Sequence, residues 1–540
     1  MPKEKLTAEP SKTTSRSSAN AAKPQREVAL LGEHFYKFFQ CPHWIWYDIY
    51  EDAKKKRQMP PLLEMIYQGK MPRAGEILQK HKKFEEIKPE LFKDLEEAFM
   101  ATLEMMKQGK NIYHGVLMSE DWVGMPDFLE ARPLQPGSGQ AGKSELGDWE
   151  YVVYDAKSSL ELGDEIKFQL VFYSLILERL QGTRPKEAYV IDPQGNERSF
   201  LVDDFVDQFH LNREQIEKIL EGEKPAPFLK SGCKRTPWYS LCIEETKGCN
   251  DVSLIYRLSQ ADQRRLYDVG IRTVDDMASA NVDDLQSKFE DWPFDKIIRL
   301  NNQAKTLVSN EPMILRKPEF PEVKNEVYFD IESDPTRDID YLLGFLVKQK
   351  GDRGEAEYKY FFAKDKSEEP QIWQKFLDFL TTLEDFVIYH YAFYERQVFD
   401  RLTLRYGAPL ALVSKFKDNT VDLHVKVVDS VVLPLYFYSL KDVAGYVGYK
   451  WDNPDAGGAE SVVWYNDWSR LRQSEIEDPR FLDPALAGKK SGLDKKSDHI
   501  LKKILRYNED DVRATMAVKE WLEGQKPSKK KEKLDPVYQL

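Results

Sequence analysis

The run Val327-Tyr328-Phe329-Asp330-Ile331-Glu332-Ser333 reads as a buried strand that carries two acidic residues two positions apart. Side chains at i and i+2 of a strand share a face, so both carboxylates leave the same side of an otherwise apolar ribbon. Two like charges buried side by side are costly unless a cation is there to share them. Two other places in the chain supply matching groups. The segment Ile388–Glu395 runs from a strand into a helix with Glu395 near its start, and Tyr507 and Asp511 lie one turn apart on a long helix expected from about Asp498 to Leu522. Taken singly, Asp330-x-Glu332 could also be a loop-edge cap and Tyr507-x-x-x-Asp511 an exposed helix pair.

At 540 residues the chain is long enough for three or four domains of ~100–200 residues each. Its 91 acidic against 79 basic residues give a net charge of −12, which excludes a protein that grips nucleic acid by bulk positive charge and leaves carboxylates to hold hard cations. The N-terminus lacks the apolar core of a signal peptide, and no apolar run approaches the ~20 residues of a membrane span. A cytoplasmic protein without membrane contact is expected. In a reducing compartment its four cysteines suit buried thiols or metal ligands better than a disulfide framework.

Patterning predicts a multidomain α/β chain. A disordered tail over 1–27 precedes an α/β unit over 28–249, a helical region over 250–310, a Pro-marked linker over 311–325, a second α/β unit over 326–523 and a basic flexible tail over 524–540. In the first unit, Leu30–Tyr50 is expected to be helical, and strand-like runs fall at Val123–Leu129 and Tyr151–Ser158. A helix over Asp164–Arg179 and a strand over Glu187–Ile191 follow. Asp127 lies on the first of these strands. Asp155 and Lys157 share a face of the second, and Gln169 and Tyr173 form an i, i+4 pair on the helix. That grouping can hold a divalent cation and a phosphate; the plain alternative is a surface ion pair between Asp155 and Lys157. In the helical region, Leu266–Met277 reads as helix, Gly270 turn and a second helix capped by Thr273, similar to a helix-hairpin-helix unit whose turn N–H groups hold a phosphate.

The first grouping resembles the PD-(D/E)XK nuclease superfamily in its RecB-like branch, marked by an acid, then acid-x-Lys on a strand, then Gln-x-x-x-Tyr on a helix. The resemblance implies a restriction-endonuclease-like core, Mg²⁺-dependent phosphodiester cleavage by Asp127, Asp155, Lys157, Gln169 and Tyr173, and a helical acid upstream, for which Glu76 is the candidate with His81 behind it. The second α/β unit resembles the RNase H-like DEDD exonucleases, which carry Asp-x-Glu on the first strand, an acid after an aromatic in the middle, and Tyr-x-x-x-Asp on the last helix. In this chain Tyr391 and Glu395 stand where that family usually has Asn and Asp. The resemblance implies two divalent cations on Asp330, Glu332, Glu395 and Asp511, a water oriented by Tyr507, and Asp422 nearby.

RecB-like nucleases often carry a [4Fe–4S] cluster with one cysteine before the core and three after it, and Cys41, Cys233, Cys242 and Cys249 are distributed in that way, although Thr236 stands where a second close cysteine is expected. Zinc with His43 as a spare ligand, or four buried thiols, remain open. Together these resemblances imply a Mg²⁺- or Mn²⁺-dependent nuclease acting on DNA, or on RNA, in processing or repair, with a helicase or repair partner. The other reading is a nucleic-acid-binding or scaffold protein in which one or both sites have degenerated.

Overall fold

The computed structural model describes residues 28–59, 64, 83–134, 144–156, 163–192, 196–351, 356–477 and 496–526. Glu76, His81, Lys157, the tail 1–27 and all but the first three residues of the tail 524–540 lie outside them. Over the described residues the chain is α/β, with two large sheets.

The C-terminal sheet has five strands in the order Glu357–Phe362, Ile339–Gln349, Asn325–Asp334, Phe386–His390, Thr420–Asp422. The first three are antiparallel, and the last two run parallel to the central strand. Parallel neighbours need a crossover, and the helices Glu369–Thr382 and Tyr394–Tyr406 lie between the strands they connect. The central strand divides its side chains by alternation. Phe329 stacks on Phe376 at 4.8 Å in the core, whereas Asp330 faces the helix Lys496–Gly524, whose Asn508 bonds it. The ladder slips by one residue between Glu332 and Ser333, a bulge of the kind that ends regular pairing beside a functional site.

The N-terminal sheet has six strands in the order Glu85–Glu86, Ile112–Tyr113, Phe128–Pro133, Trp149–Ala156, Glu187–Ile191, Glu197–Leu201. The buried helix Asp164–Gln181 joins Trp149–Ala156 to its parallel neighbour Glu187–Ile191. Prolines redraw two expected elements. Pro42 forces Cys41 into an extended conformation (φ −166°), so the helix expected over Leu30–Tyr50 becomes two, Gly32–Gln40 and Pro42–Tyr50. Pro126 likewise separates Trp122–Gly124 from Phe128–Pro133, and the two pieces join different sheets.

The region after residue 250 is helical, as expected, through Gln260–Asp268, Val274–Ser279, Val282–Lys288 and Phe294–Ser309. Its Leu254, Leu266, Met277 and Ile297 share one core with Cys41, Trp44, Cys233, Trp238 and Cys242. The stretch 311–325 is not a loose connector: Met313–Ile314 pairs with Val431–Val432, and Phe320 packs against Tyr389. The turn at Gly270 has the expected shape, with φ +86° at the glycine and Thr273 as N-cap. Every N–H from Gly270 to Val274 already has an acceptor within the chain. Gly270 and Ile271 donate to Tyr267 and Leu266 carbonyls, Arg272 and Thr273 both donate to Asp276 Oδ2, and Val274 donates to the Asn250 carbonyl. A carboxylate of the chain thus fills the place expected for phosphate. Among the described residues no helix is long and apolar enough to cross a membrane.

Candidate active site

Three carboxylates meet where the central C-terminal strand passes under the last helix. Oxygens of Asp330, Glu332 and Asp511 lie within 4.8 Å of one another. Glu332 and Asp511 are 5% and 8% exposed, so water does little to separate their charges. Burial, then repulsion by Asp511, pushes Glu332 up to about 8. Burial pushes Asp511 up to about 6, against the hydrogen bond donated by Trp451 Nε1 to its Oδ1 at 2.7 Å. Asp330 is held well above the carboxylate range by burial and by Asp511, Glu332 and Glu395 in turn.

Glu395, 4% exposed, stands outside that group of three but close enough to raise both Asp330 and Glu332. His390 Nδ1 lies 3.3 Å from its Oε2, an oxygen that is buried without a hydrogen-bond partner. The turn that presents Glu395 is set by Ala392, at φ +68°, whose N–H donates to Asp422 Oδ1 at 3.0 Å. The same Asp422 oxygen accepts from His424 N, so Asp422 caps the helix Leu423–Ser430 and shapes the turn rather than joining the three acids. Three buried carboxylates and the half-buried Asp330, with one oxygen of Glu395 orphaned, are the donor set that hard divalent cations prefer, and the residues fit such ions.

Tyr507 lies beside Asp511 as its i, i+4 spacing requires, and its hydroxyl bonds that carboxylate. Burial and the neighbouring acids push the phenol far up, so it stays protonated and acts as a donor. Both residues line a cleft of about 390 Å³ with Asp330, Glu332, Ser333 and Tyr394, and the small residues Gly458 and Ala459 form part of its wall. Phe393, 65% exposed, stands two residues before Glu395.

Several residues on which the site depends carry no signal in the sequence pattern. Asn508 is fully buried, donates to Asp330 Oδ2 at 2.7 Å and accepts from the Tyr358 hydroxyl at 2.8 Å. It fits only because residue 344, paired with Asp330 across the ladder, is glycine: a Cβ there would lie 1.6 Å from Asn508 Oδ1. Lys441 Nζ stands 5.6 Å from the ring centres of both Trp451 and Tyr507 and partly offsets the Asp511 charge.

The raised carboxylates fix the direction of a pH effect. A buried acid whose folded pKa is raised costs no stability below the unfolded value of about 4, and costs progressively more as pH climbs through the folded value. In EDTA the melting temperature should therefore fall between pH 5 and 8, by on the order of 5 °C. Mn²⁺ should restore it at pH 8, and Glu332→Gln should flatten the slope. A slope unchanged in that variant would contradict the arrangement.

The N-terminal sheet gathers a second group. Asp127 precedes the strand Phe128–Pro133, and its Oδ2 accepts from Ala156 N at 2.8 Å, which sets it beside the buried Asp155. Gln169 Nε2 donates to the Tyr173 hydroxyl at 2.8 Å. The Tyr173 phenol is pushed far up by burial and then by Asp155, with Asp127 and Glu33 adding to it. Glu33, on the helix Gly32–Gln40 and paired with Lys37 at 2.9 Å, was not expected here. That helix approaches so closely that a Cβ on Gly32 would lie 2.5 Å from the Tyr173 ring.

Of the four cysteines, Cys41, Cys233 and Cys242 come together while Cys249 does not. Cys249 is exposed at the C-terminal end of the helix Tyr239–Gly248, its Sγ donating to the Thr246 carbonyl at 3.4 Å. Seven residues of helix carry it about 10 Å along the axis from Cys242, so the expected four-thiolate set is not assembled.

Residues 327–523 match the family model of the RNase_H superfamily. The C-terminal unit is thus an RNase H-like domain, of a class that processes nucleic acid, and its three clustered acids are candidate ligands for Mg²⁺ or Mn²⁺. No curated protein matches the chain.

Proposed function

We propose that the protein is a Mg²⁺- or Mn²⁺-dependent nuclease that hydrolyses phosphodiester bonds of DNA, with its principal site at Asp330, Glu332, Glu395 and Asp511. The observation that carries this reading is the convergence of Asp330, Glu332 and Asp511 within 4.8 Å on an RNase H-like scaffold. Divalent cations bound there would supply a nucleophilic water and neutralise charge at the leaving oxygen. The chain's own contribution is placement. Asn508 and Trp451 fix Asp330 and Asp511, and the Tyr507 hydroxyl, which donates to Asp511, leaves its oxygen to accept a hydrogen bond from the attacking water and orient it. The exposed Phe393, next in sequence to the cleft residue Tyr394, offers a face on which a nucleobase can stack, which favours a single-stranded end as substrate.

The N-terminal group is read as a second metal-dependent site of the PD-(D/E)XK, RecB-like kind. Support comes from Asp127, Asp155, Gln169 and Tyr173 lying together, with Glu33 in the helical-acid role expected of Glu76. Lys157 completes the pattern in sequence. A role in DNA processing or repair follows from two cutting sites on one chain.

Single- and double-stranded DNA and RNA, each incubated with Mg²⁺ or Mn²⁺, separate the two sites. Asp330→Ala should remove stepwise degradation from single-stranded ends, and Asp155→Ala should remove whatever cutting remains. Equal cleavage by the wild type and by the double variant would eliminate both sites. Binding without cleavage by the wild type would favour the nucleic-acid-binding or scaffold reading instead.

A further inference from the structure

We propose that Cys41, His43, Cys233 and Cys242 form a Cys₃His zinc site that clamps the first two helices of the chain to the segment 233–242. All four side chains are buried, none more than 3% exposed. Donor atoms of Cys41, His43 and Cys242 lie within 4.8 Å of one another, and the Cys233 thiol contacts those of both other cysteines. With Zn–S near 2.3 Å and Zn–N near 2.0–2.1 Å, a tetrahedral zinc ion holds its donors roughly 3.5–3.8 Å apart, so Cys41, His43 and Cys242 need a small inward movement and Cys233, which stands outside that group of three, must close toward His43. A cubane cluster spreads its thiolates wider, one on each of four irons, and its common ligand set is four cysteines. Cys249 is too far along its helix for that part. Thr236 is no substitute either, since its Oγ1 is committed to the Cys233 carbonyl at 2.9 Å.

The surroundings are those of a ligand set rather than of inert thiols. His43 Nδ1 is buried without a hydrogen-bond partner, while the Pro225 carbonyl bonds the ring. That is the second-shell arrangement that fixes an imidazole and leaves its other nitrogen free for a metal. Lys230 N donates to Cys233 Sγ at 3.5 Å, a main-chain contact that steadies a thiolate. Cys41 sits at the break forced by Pro42, directly after the helix that carries Glu33. A zinc ion there would tether that helix across the whole intervening domain and so hold Gly32 against the Tyr173 ring. The site is independent of whether either acidic centre cuts nucleic acid.

The test is metal analysis of the full chain purified anaerobically under reducing conditions, followed by cobalt titration of the stripped protein. Zinc at roughly one per chain, with negligible iron and acid-labile sulfide, is expected. Co²⁺ should give thiolate charge-transfer bands and the visible bands of a tetrahedral ion, saturating at one equivalent and bleached by Zn²⁺. Cys249→Ser should titrate as the wild type does. His43→Gln should shift the visible bands while keeping the thiolate charge transfer, and Cys242→Ser should weaken both. Stoichiometric iron with sulfide, loss of the cobalt spectrum in Cys249→Ser, or a folded wild-type chain that takes up neither zinc nor cobalt would overturn the assignment.

Discussion

Replacing Asp330 with asparagine is expected to lower Mg²⁺-dependent cleavage by ~10³-fold or more and, in the same protein kept in EDTA, to raise the melting temperature. Both effects have one cause. Asp330 lies with Glu332 and Asp511 in one confined space, where burial raises all three and repulsion by Asp511 adds to the rise at Asp330 and Glu332. Without a cation this repulsion opposes folding, so removing one charge relieves it. Asn508 can still bond the new side chain, since an amide oxygen accepts as Asp330 Oδ2 does. Cleavage, by contrast, needs the charge, and ~10³-fold corresponds to about 4 kcal/mol of transition-state stabilisation. A residue that only supported the fold would lose stability and activity together. Opposite signs in thermal melting and in single-turnover cleavage therefore distinguish a metal ligand from a structural acid, and a variant that melts lower in EDTA would count against the site.

The second large effect is expected at a residue without a side chain. Gly344→Ala places a Cβ 1.6 Å from Asn508 Oδ1 and 2.8 Å from the Tyr358 hydroxyl. Both belong to a buried network that ends on Asp330, and close-packed interiors yield little to such an insertion. The variant should lose about 3 kcal/mol or more of stability, which for a domain of this size is a fall of roughly 6–12 °C in melting temperature. Cleavage should fall with it as Asp330 is displaced. Asn508→Ala alone removes the Asp330 partner, but combined with Gly344→Ala it also removes the clash. The double variant should therefore be more stable than Gly344→Ala alone, a coupling that residues without contact would not show. If the two losses add, the packing described around residue 344 is wrong.

The acidic centre was legible in the sequence because its logic is periodic. Asp330 and Glu332 follow the two-residue repeat of a strand, Tyr507 and Asp511 the four-residue repeat of a helix, and the structure sets these side by side. What periodicity cannot carry is contact between elements distant along the chain. Trp451 donates to Asp511 from a loop, Gly344 matters only through what lies opposite it, and the Glu33 charge is felt at Tyr173 because Gly32 lets one helix pack closely on another. Asp422 lies beside the turn that presents Glu395, but its neighbours make it a helix cap. The cysteines show the same limit. Their number and spacing suggested four ligands, yet the helix that separates Cys242 from Cys249 sends the last one to the surface and leaves the imidazole of His43 in its place. In the Gly270 turn, backbone shape was readable, but the carboxylate of Asp276 that occupies its donors was not.

If the acids of the C-terminal domain drive metal-dependent hydrolysis, cleavage must follow the supply of metal to them. Full-length protein freed of metal with EDTA is mixed with end-labelled single-stranded DNA, and cleavage is followed as Mn²⁺ or Mg²⁺ is added back, with Asp330→Asn in parallel. No cleavage is expected before addition, followed by cleavage that rises and saturates with metal in the wild type, and rates lower by ~10³-fold or more in the variant at every metal concentration. Cleavage in EDTA, or a variant that matches the wild type once metal is added, would contradict that role of the acids.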